Sequence, residues 1–149
     1  AALAASAQLG ISMTKRGVAR SVTFATPRIG PGEPDSEWLA SAAAAESTVL
    51  YMAAGQASQI ASALIASGKP AATPVAIVEN ATLENERRIF TSLGGLTASA
   101  LNLDGPAVLC IGDVFAPPAV VMERESPQTD VALRKFGVAQ LHIGEYTKV

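Results

Sequence analysis

The stretch Thr48-Val49-Leu50-Tyr51-Met52 decides the fold class that this sequence predicts. It is a compact apolar run of strand length with no solvated face, a pattern typical of a strand inside a sheet that is covered on both sides. A second run of this kind, residues 107–112, is fully apolar. Two such strands predict a sheet with other layers packed against both of its faces.

Strand and helix patterns alternate outward from that stretch. Residues 1–9 have a helical pattern that Gly10 is placed to end, and Gly68 is placed to end another helix over residues 59–66. The other predicted elements are a helix that Ser36 caps and that runs to residue 46, strands at 21–26, 74–79 and 88–91, and a helix at 96–103. Because the strand at 88–91 is expected to be antiparallel, this order predicts an α/β domain with a mixed sheet and helices on both faces.

Composition limits the kinds of protein that this chain can be. Of its 149 residues, 49% are hydrophobic and 16% are charged, which predicts a packed globular chain. The net charge of −2, without a basic stripe, argues against a nucleic-acid partner. No apolar run approaches the ~20 residues of a transmembrane helix, so we expect no membrane partner. The single cysteine, Cys110, excludes an internal disulfide and is predicted to be a buried, inert thiol in a reduced, cytoplasmic setting.

Neither a metal site nor a hydrolytic site is predicted. The single histidine, His142, lies in residues 117–149, a tail of different composition in which we expect one short helix and whose sequence indicates no function. A lone histidine placed there cannot complete a Ser-His-Asp set, and no spacing of metal ligands occurs. We therefore predict one domain over residues 1–116, followed by this tail.

Two charged or glycine-rich segments are interpreted as ordinary loops. Residues 30–35 look like a glycine-rich phosphate loop, but Pro31 and Pro34 remove backbone N–H donors that such a loop needs. A second group is interpreted as loop charges, namely Glu79, Glu84, Glu86, Arg87 and Arg88.

Four segments resemble the tetrapyrrole methylases, in the order and spacing of that family. They are Thr14-Lys15-Arg16 through Val22, Thr48 through Met52, Thr73-Pro74-Val75-Ala76 through Thr82, and Gly105-Pro106-Ala107 through Val114. The sequence departs from the family at Lys15, where histidine is usual, and at Ala53 and Ala81, where glycine is usual. Each segment alone is weak evidence, whereas four in order over residues 1–116 indicate the family.

The resemblance implies methyl transfer from S-adenosylmethionine. Within the family, the segments are most similar to the enzymes that convert uroporphyrinogen-III to precorrin-2, on the branch toward sirohaem and cobalamin. Another precorrin methyltransferase is an alternative, and so is a non-catalytic dimerisation or interaction module. The acidic charge disfavours a ribosomal-RNA methylase of the same superfamily. Family members are homodimers, so we expect a homodimer with a tetrapyrrole substrate.

The family comparison also predicts which part of the enzyme this chain is. The first residues resemble a family segment entered midway, after the family's glycine-rich loop. We therefore expect the C-terminal half of a two-domain enzyme whose active cleft lies between the halves, and no methyl transfer by this half alone. The catalytic acid or base is expected in the other half, so no catalytic residue is assigned.

Three residues are predicted to bind the cofactor. Met52 ends a predicted strand, and open α/β sheets bind ligands beyond the carboxyl ends of their strands. A thioether can lie against an adenine or ribose without requiring a hydrogen bond, although a core methionine is the alternative. The resemblance implies a cofactor contact for Met52, for the main chain of Ala81 and for Ala1. Further candidates for the same pocket are Pro74, Val75 and Ala76.

Arg16 is the candidate for substrate binding. It matches a family arginine and precedes the strand predicted at 21–26. The substrate that the resemblance implies carries eight carboxylates, which guanidinium groups bind through paired hydrogen bonds. The alternative is a solvated surface arginine.

Overall fold

The computed structural model describes residues 1–32 and 37–117, and in these ranges the chain forms one mixed sheet with helices. The strands are β1 (Val22–Ala25), β2 (Ser47–Leu50), β3 (Pro74–Glu79), β4 (Arg87–Ser92) and β5 (Ala107–Ile111). They lie side by side in the order β1-β2-β5-β3-β4. β1 and β2 are parallel, and the other three pairings are antiparallel. As a result β1, β2 and β3 run in one direction, whereas β4 and β5 run in the other.

Helices cover both faces of this sheet. They are α1 (Ala2–Leu9), α2 (Trp38–Ala44), α3 (Ala57–Ala66) and α4 (Leu96–Ala100), with 3-10 turns at Ala54–Gln56 and Asp113–Phe115. On one face α2, α3 and α4 contribute Ala42, Leu64 and Leu96 to a core that includes Leu50 and Leu109. The prediction of an α/β fold with a covered mixed sheet is confirmed.

The other face of the sheet carries a smaller core. There α1 packs through Ala2 and Ala5, and Phe115 of the second 3-10 turn lies over the sheet beside them. The strands supply Val78 and Cys110 to this side. Because alanine has a short side chain, α1 can lie close to the strands, although each alanine buries little apolar area.

Glycines end two helices as the sequence predicts. Gly10 has φ 66° and its N–H donates to the carbonyl of Ala7, 3.0 Å away, which closes α1. Gly68 has φ 100° just after α3, and the N–H of Lys69 reaches back to the carbonyl of Leu64. A residue without a Cβ adopts these left-handed conformations at little cost.

Several predicted boundaries differ from the structure. The strand predicted at residues 48–52 is wrong at its end, because β2 stops at Leu50 and Met52 has a positive φ of 51°. The helix predicted at 96–103 is only α4, and the strand predicted at 88–91 is longer, as β4. The cap predicted at Ser36 lies outside the described residues, as do the helix expected in the tail and His142. The boundary between the predicted domain and tail stays a prediction.

Membrane-spanning helices and metal-ligand clusters are both absent from the described ranges. None of their helices is both long enough and apolar enough to cross a membrane. Within the same ranges, no three side chains of histidine, cysteine, aspartate and glutamate lie together as a metal site would need.

Candidate ligand-binding edge of the sheet

The carboxyl ends of three strands meet at one edge of the sheet. β1, β2 and β3 run in the same direction, so the segments after Ala25, Leu50 and Glu79 emerge side by side. β5 runs in the opposite direction and begins at this edge, where Ala107 pairs with Glu79. We call it the carboxyl edge, and α/β sheets bind their ligands beyond such an edge.

A cavity of about 510 Å³ opens at the carboxyl edge. It brings together the three predicted cofactor residues, Ala1, Met52 and Ala81, which lie up to 80 positions apart in the sequence. The rest of its lining is mostly apolar and consists of Thr26, Tyr51, Asn80, Leu83, Pro106, Ala107 and Val108. We refer to it as the apolar cavity.

Met52 is a lining residue and not a core residue. Its side chain is 67% exposed, and its positive φ turns the chain away from the strand direction of β2. The neighbouring core is formed by Leu50 and Ala53, which are fully buried. The alternative that Met52 is a core methionine is therefore wrong, and its thioether is free to contact a ligand.

Ala81 lies in a turn that presents its main chain. The flanking Asn80 and Thr82 have positive φ values of 53° and 71°, whereas Ala81 keeps a negative φ, as an alanine at the family's glycine position requires. The N–H of Asn80 donates to the carbonyl of Pro106 at 2.9 Å, and the N–H of Thr82 donates to Glu86 Oε2 at 2.7 Å. Neither the N–H nor the C=O of Ala81 is bonded to any described residue, so both can bind the polar edge of a ligand.

Gly105 allows the Asn80 side chain to line the cavity. A Cβ on Gly105 would lie 2.1 Å from Asn80 Oδ1, far inside van der Waals contact. Only a glycine therefore lets the amide of Asn80 lie against the main chain before β5. This close approach adds one polar side chain to a largely apolar wall.

Glu79 is a buried structural carboxylate, and its interpretation as a loop charge is wrong. It ends β3, is 1% exposed, and accepts hydrogen bonds from the N–H groups of Asp104 and Gly105 at 2.6 and 2.7 Å. Arg87, in β4, forms an ion pair with it at 3.1 Å. The pKa of Glu79 lies below its usual range. The largest cause is the hydrogen bond from Gly105, followed by the hydrogen bond from Asp104 and the charge of Arg87. Glu79 thus fixes the segment before β5 that walls the carboxyl edge.

The other residues interpreted as loop charges divide between strand and loop. Arg87 and Arg88 belong to β4. Glu86 accepts hydrogen bonds from Thr82 and Arg88 and so braces the turn that carries Ala81. Those two bonds, with the Thr82 N–H the larger cause, lower the pKa of Glu86. Glu84 is exposed, in line with the loop interpretation.

A second cavity of about 520 Å³ adjoins the apolar cavity. The two share Met52, Pro106 and Ala107. The remaining lining of the second cavity is Arg28, Ala54, Gly55, Gln56 and Gly105. We call it the Arg28 cavity, because Arg28 is the one charged residue among the described residues that line it.

The sequence analysis does not single out Arg28, and it interprets the adjacent residues 30–35 as an ordinary loop. The available signal was position, because Arg28 follows β1 at the same edge at which Met52 follows β2. By contrast, Pro74, Val75 and Ala76 do not line the cavities. They start β3 at the opposite edge, and Val75 and Ala76 are fully buried, so their prediction is wrong.

Arg16 is not brought to the carboxyl edge. It lies in an exposed turn closed by pairing between Lys15 and Ala19, ahead of β1 and thus at the opposite edge. Nearby, Glu46 Oε2 accepts hydrogen bonds from the N–H groups of Arg20 and Ser21. Arg16 lines a separate surface cavity of about 480 Å³, and its role in substrate binding stays a prediction.

Comparison with known proteins identifies relatives of this chain. Residues 1–97 match the model of the tetrapyrrole (corrin/porphyrin) methylases. Uroporphyrinogen-III C-methyltransferase of Pseudomonas aeruginosa is 38% identical over 116 residues, which are 76% of this chain and 47% of that protein. Siroheme synthase 1 of Yersinia pseudotuberculosis is 34% identical over 134 residues, which are 89% of this chain and 28% of that protein.

A solved structure shares the fold. Uroporphyrin-III C-methyl transferase from Thermus thermophilus, complexed with S-adenyl homocysteine, aligns with a TM-score of 0.64 at 26% identity. The alignment covers 76% of this chain and 49% of that one. The chain therefore spans about half the length, or less, of the relatives that it matches.

Proposed function

This chain belongs to the tetrapyrrole methylase family, and from that premise we propose that it forms part of an enzyme that transfers a methyl group from S-adenosylmethionine to a tetrapyrrole. One observation carries the proposal: Ala1, Met52 and Ala81 line a single cavity at the carboxyl edge. The family resemblance implies a cofactor contact for each of them. A related structure with S-adenyl homocysteine bound supports the choice of cofactor.

The apolar cavity has the chemistry that a nucleoside needs. Its lining is largely apolar, and the free N–H and C=O of Ala81 can bind the hydrogen-bonding edge of an adenine. The Met52 thioether can lie against a ring or a ribose. S-adenosylmethionine, when bound, supplies an electrophilic methyl group. The contribution of these residues is to orient the ligand and exclude water from it, which can account for much of a rate enhancement.

We further propose that the tetrapyrrole is uroporphyrinogen-III and the product precorrin-2. The 38% identity to a uroporphyrinogen-III C-methyltransferase supports this substrate over other tetrapyrroles. Incubation of the full-length protein with uroporphyrinogen-III and methyl-labelled S-adenosylmethionine tests it, with precorrin-2 as the expected labelled product. A homodimer is a proposal drawn from the same resemblance, and a cytoplasmic location is one drawn from the single cysteine. Light scattering at micromolar concentration checks the dimer.

Met52→Asp tests the cofactor site. A carboxylate in the apolar cavity would be desolvated by the ligand, so affinity for S-adenosylhomocysteine should fall by roughly 2 kcal/mol or more. Calorimetric titration of the full-length protein measures this loss. The matched control is Leu101→Asp, because Leu101 is similarly exposed, at 77%, and lines neither cavity.

The two variants separate failure of the proposal from failure of one residue. No binding by the unmodified full-length protein would refute the proposed cofactor. If Met52→Asp and Leu101→Asp both change the affinity only slightly and equally, the proposed cofactor stands. Met52 is then not part of its binding site. Circular dichroism of both variants checks that the fold is retained.

A further inference from the structure

Arg28 is a cation without a partner in the described part of the chain. No described residue forms an ion pair or hydrogen bond with its guanidinium. Arg87 and Arg88 differ, because they pair with Glu79 and Glu86. An exposed arginine with no partner is common on protein surfaces. Its location in a cavity that adjoins the apolar cavity, and not its exposure, distinguishes Arg28.

The described residues that line the Arg28 cavity include no counter-ion for the guanidinium. Apart from Arg28 they are uncharged: Met52, Ala54, Gly55, Gln56, Gly105, Pro106 and Ala107. The positive charge therefore faces a space of about 520 Å³ in which no carboxylate of the described lining neutralises it. Such a space favours an anionic group, and a guanidinium binds a carboxylate through two parallel N–H···O bonds.

The main chain holds Arg28 at this position. β1 is tied to β2 at its end, where the N–H of Tyr51 donates to the carbonyl of Ala25 at 2.9 Å. Pro27, directly before Arg28, is buried and has its φ fixed by the ring. The backbone from which the Arg28 side chain extends is thus anchored next to the shared wall of the two cavities.

The two cavities together favour a ligand that has an uncharged ring next to an acidic group. They meet at Met52, Pro106 and Ala107, so one bound molecule, or two in contact, can occupy both. The apolar cavity suits an uncharged ring, and the Arg28 cavity suits an acidic group beside it. Both ligands of the proposed reaction carry such a group: the amino-acid end of S-adenosylmethionine and the acidic side chains of the tetrapyrrole.

We propose that Arg28 binds a carboxylate of the ligand held at the carboxyl edge. This rests on the proposed function, because that function supplies the carboxylate-bearing ligands. Arg28 is then a binding residue that fixes the orientation of its ligand across the shared wall. A lysine at this position keeps the charge but not the paired hydrogen-bond geometry, so Arg28→Lys should restore only part of the affinity.

The experiment is a set of calorimetric titrations of the full-length protein with three probes. S-adenosylhomocysteine carries the amino-acid carboxylate, 5′-methylthioadenosine keeps the nucleoside but lacks it, and uroporphyrin III is a stable stand-in for the tetrapyrrole acids. Arg28→Leu should raise the Kd of one carboxylate probe about tenfold or more, with 5′-methylthioadenosine unchanged. For the two nucleoside probes the matched control is Arg20→Leu, which removes the same charge at the opposite edge, away from both cavities.

The three titrations show which carboxylate Arg28 binds, or that it binds neither. A loss for S-adenosylhomocysteine assigns Arg28 to the cofactor carboxylate, and a loss for uroporphyrin III alone assigns it to the substrate. Unchanged affinity for both, or an equal loss for 5′-methylthioadenosine, overturns the inference. If the unmodified protein binds neither S-adenosylhomocysteine nor uroporphyrin III, the proposed function itself fails.

Discussion

The two exposed arginines with proposed ligand roles, Arg16 and Arg28, differ in their surroundings. Arg28 lines a cavity continuous with the apolar cavity through Met52. Arg16 lies in a turn at the opposite edge, beside the basic side chains of Lys15 and Arg20. A tetrapyrrole is much larger than a nucleoside, so its acidic rim can extend beyond one cavity. We therefore expect substitution of the two arginines to affect the affinities for the cofactor and the tetrapyrrole differently.

Arg16→Leu should affect the tetrapyrrole and spare the cofactor. If Arg16 pairs with an acidic side chain of the substrate, its loss removes a charge-assisted contact worth roughly 1.5–3 kcal/mol. Affinity for S-adenosylhomocysteine should stay unchanged, because Arg16 does not line the cavities at the carboxyl edge. Titration of both ligands measures this, and Arg16→Lys should recover part of the loss. Equal losses would indicate a folding defect, and no loss would make Arg16 a solvated surface residue.

Which single residues the sequence could predict depends on where their partners lie. Met52 and Ala81 are predicted from short segments that resemble the family, and each segment is continuous in the chain. Glu79 was misread, because its hydrogen-bond donors Asp104 and Gly105 are 25 and 26 positions away. Arg28 was overlooked for the same reason, because the cavity that it lines is formed largely by other elements of the fold.

At the scale of elements, apolar pattern locates strands but not their ends. Residues 74–79 were predicted as a strand and form β3, since every residue after Pro74 is buried. The run at 48–52 reads as one strand, yet β2 stops at Leu50. Tyr51 and Met52 continue the apolar run beyond the strand, where they line a cavity. Hydrophobicity alone does not separate a side chain that faces a core from one that faces a ligand site.

The join between β3 and β5 depends on the charge of Glu79, and this makes its contribution to stability pH-dependent. The folded pKa of Glu79 lies below the ordinary value of 4.5, so the charged form stabilises the fold above that pH. The contribution is lost as the pH falls from 4.5 through the lowered folded value. Glu79→Gln should therefore reduce the free energy of unfolding by about 1–3 kcal/mol at pH 7, and by less below pH 4.

Urea unfolding at several pH values between 7 and 3 measures that difference. Glu84→Gln is the control, because Glu84 is exposed and forms no bond with the described residues. Its effect should be small at every pH. A difference between wild type and Glu79→Gln that does not shrink in acid would mean that the carboxylate charge adds nothing to the fold.

On the scale of the whole described unit, the carboxyl edge and the core depend on the same central strand. β5 lies between β2 and β3 and is covered on one face by α1 and on the other by α3. Its first residue, Ala107, lines both cavities, and its fourth, Cys110, is fully buried. Loss of β5 pairing would therefore dismantle the wall of both cavities and expose the thiol in a single event.

This coupling predicts that ligand binding protects Cys110 from alkylation. Burial raises the pKa of the Cys110 thiol to about 12, so at pH 8 the native protein offers almost no reactive thiolate. Labelling by iodoacetamide then requires opening of the sheet, and a ligand that binds only the closed form reduces that opening. At 100 times its Kd, S-adenosylhomocysteine should slow labelling about 100-fold. Mass spectrometry of the peptide that contains Cys110 follows the rate.

Met52→Asp supplies the control, because it should weaken ligand binding while every residue of β5 stays unchanged. At the same concentration of S-adenosylhomocysteine, labelling in this variant should be slowed far less, and without ligand its rate should be close to that of the unmodified protein. Rapid labelling of the native protein would mean that Cys110 is reached by a local motion. Full cofactor binding with no protection would mean that β5 opens while the site persists. Since Ala107 and Cys110 belong to one five-residue strand with partners on both sides, we expect neither result.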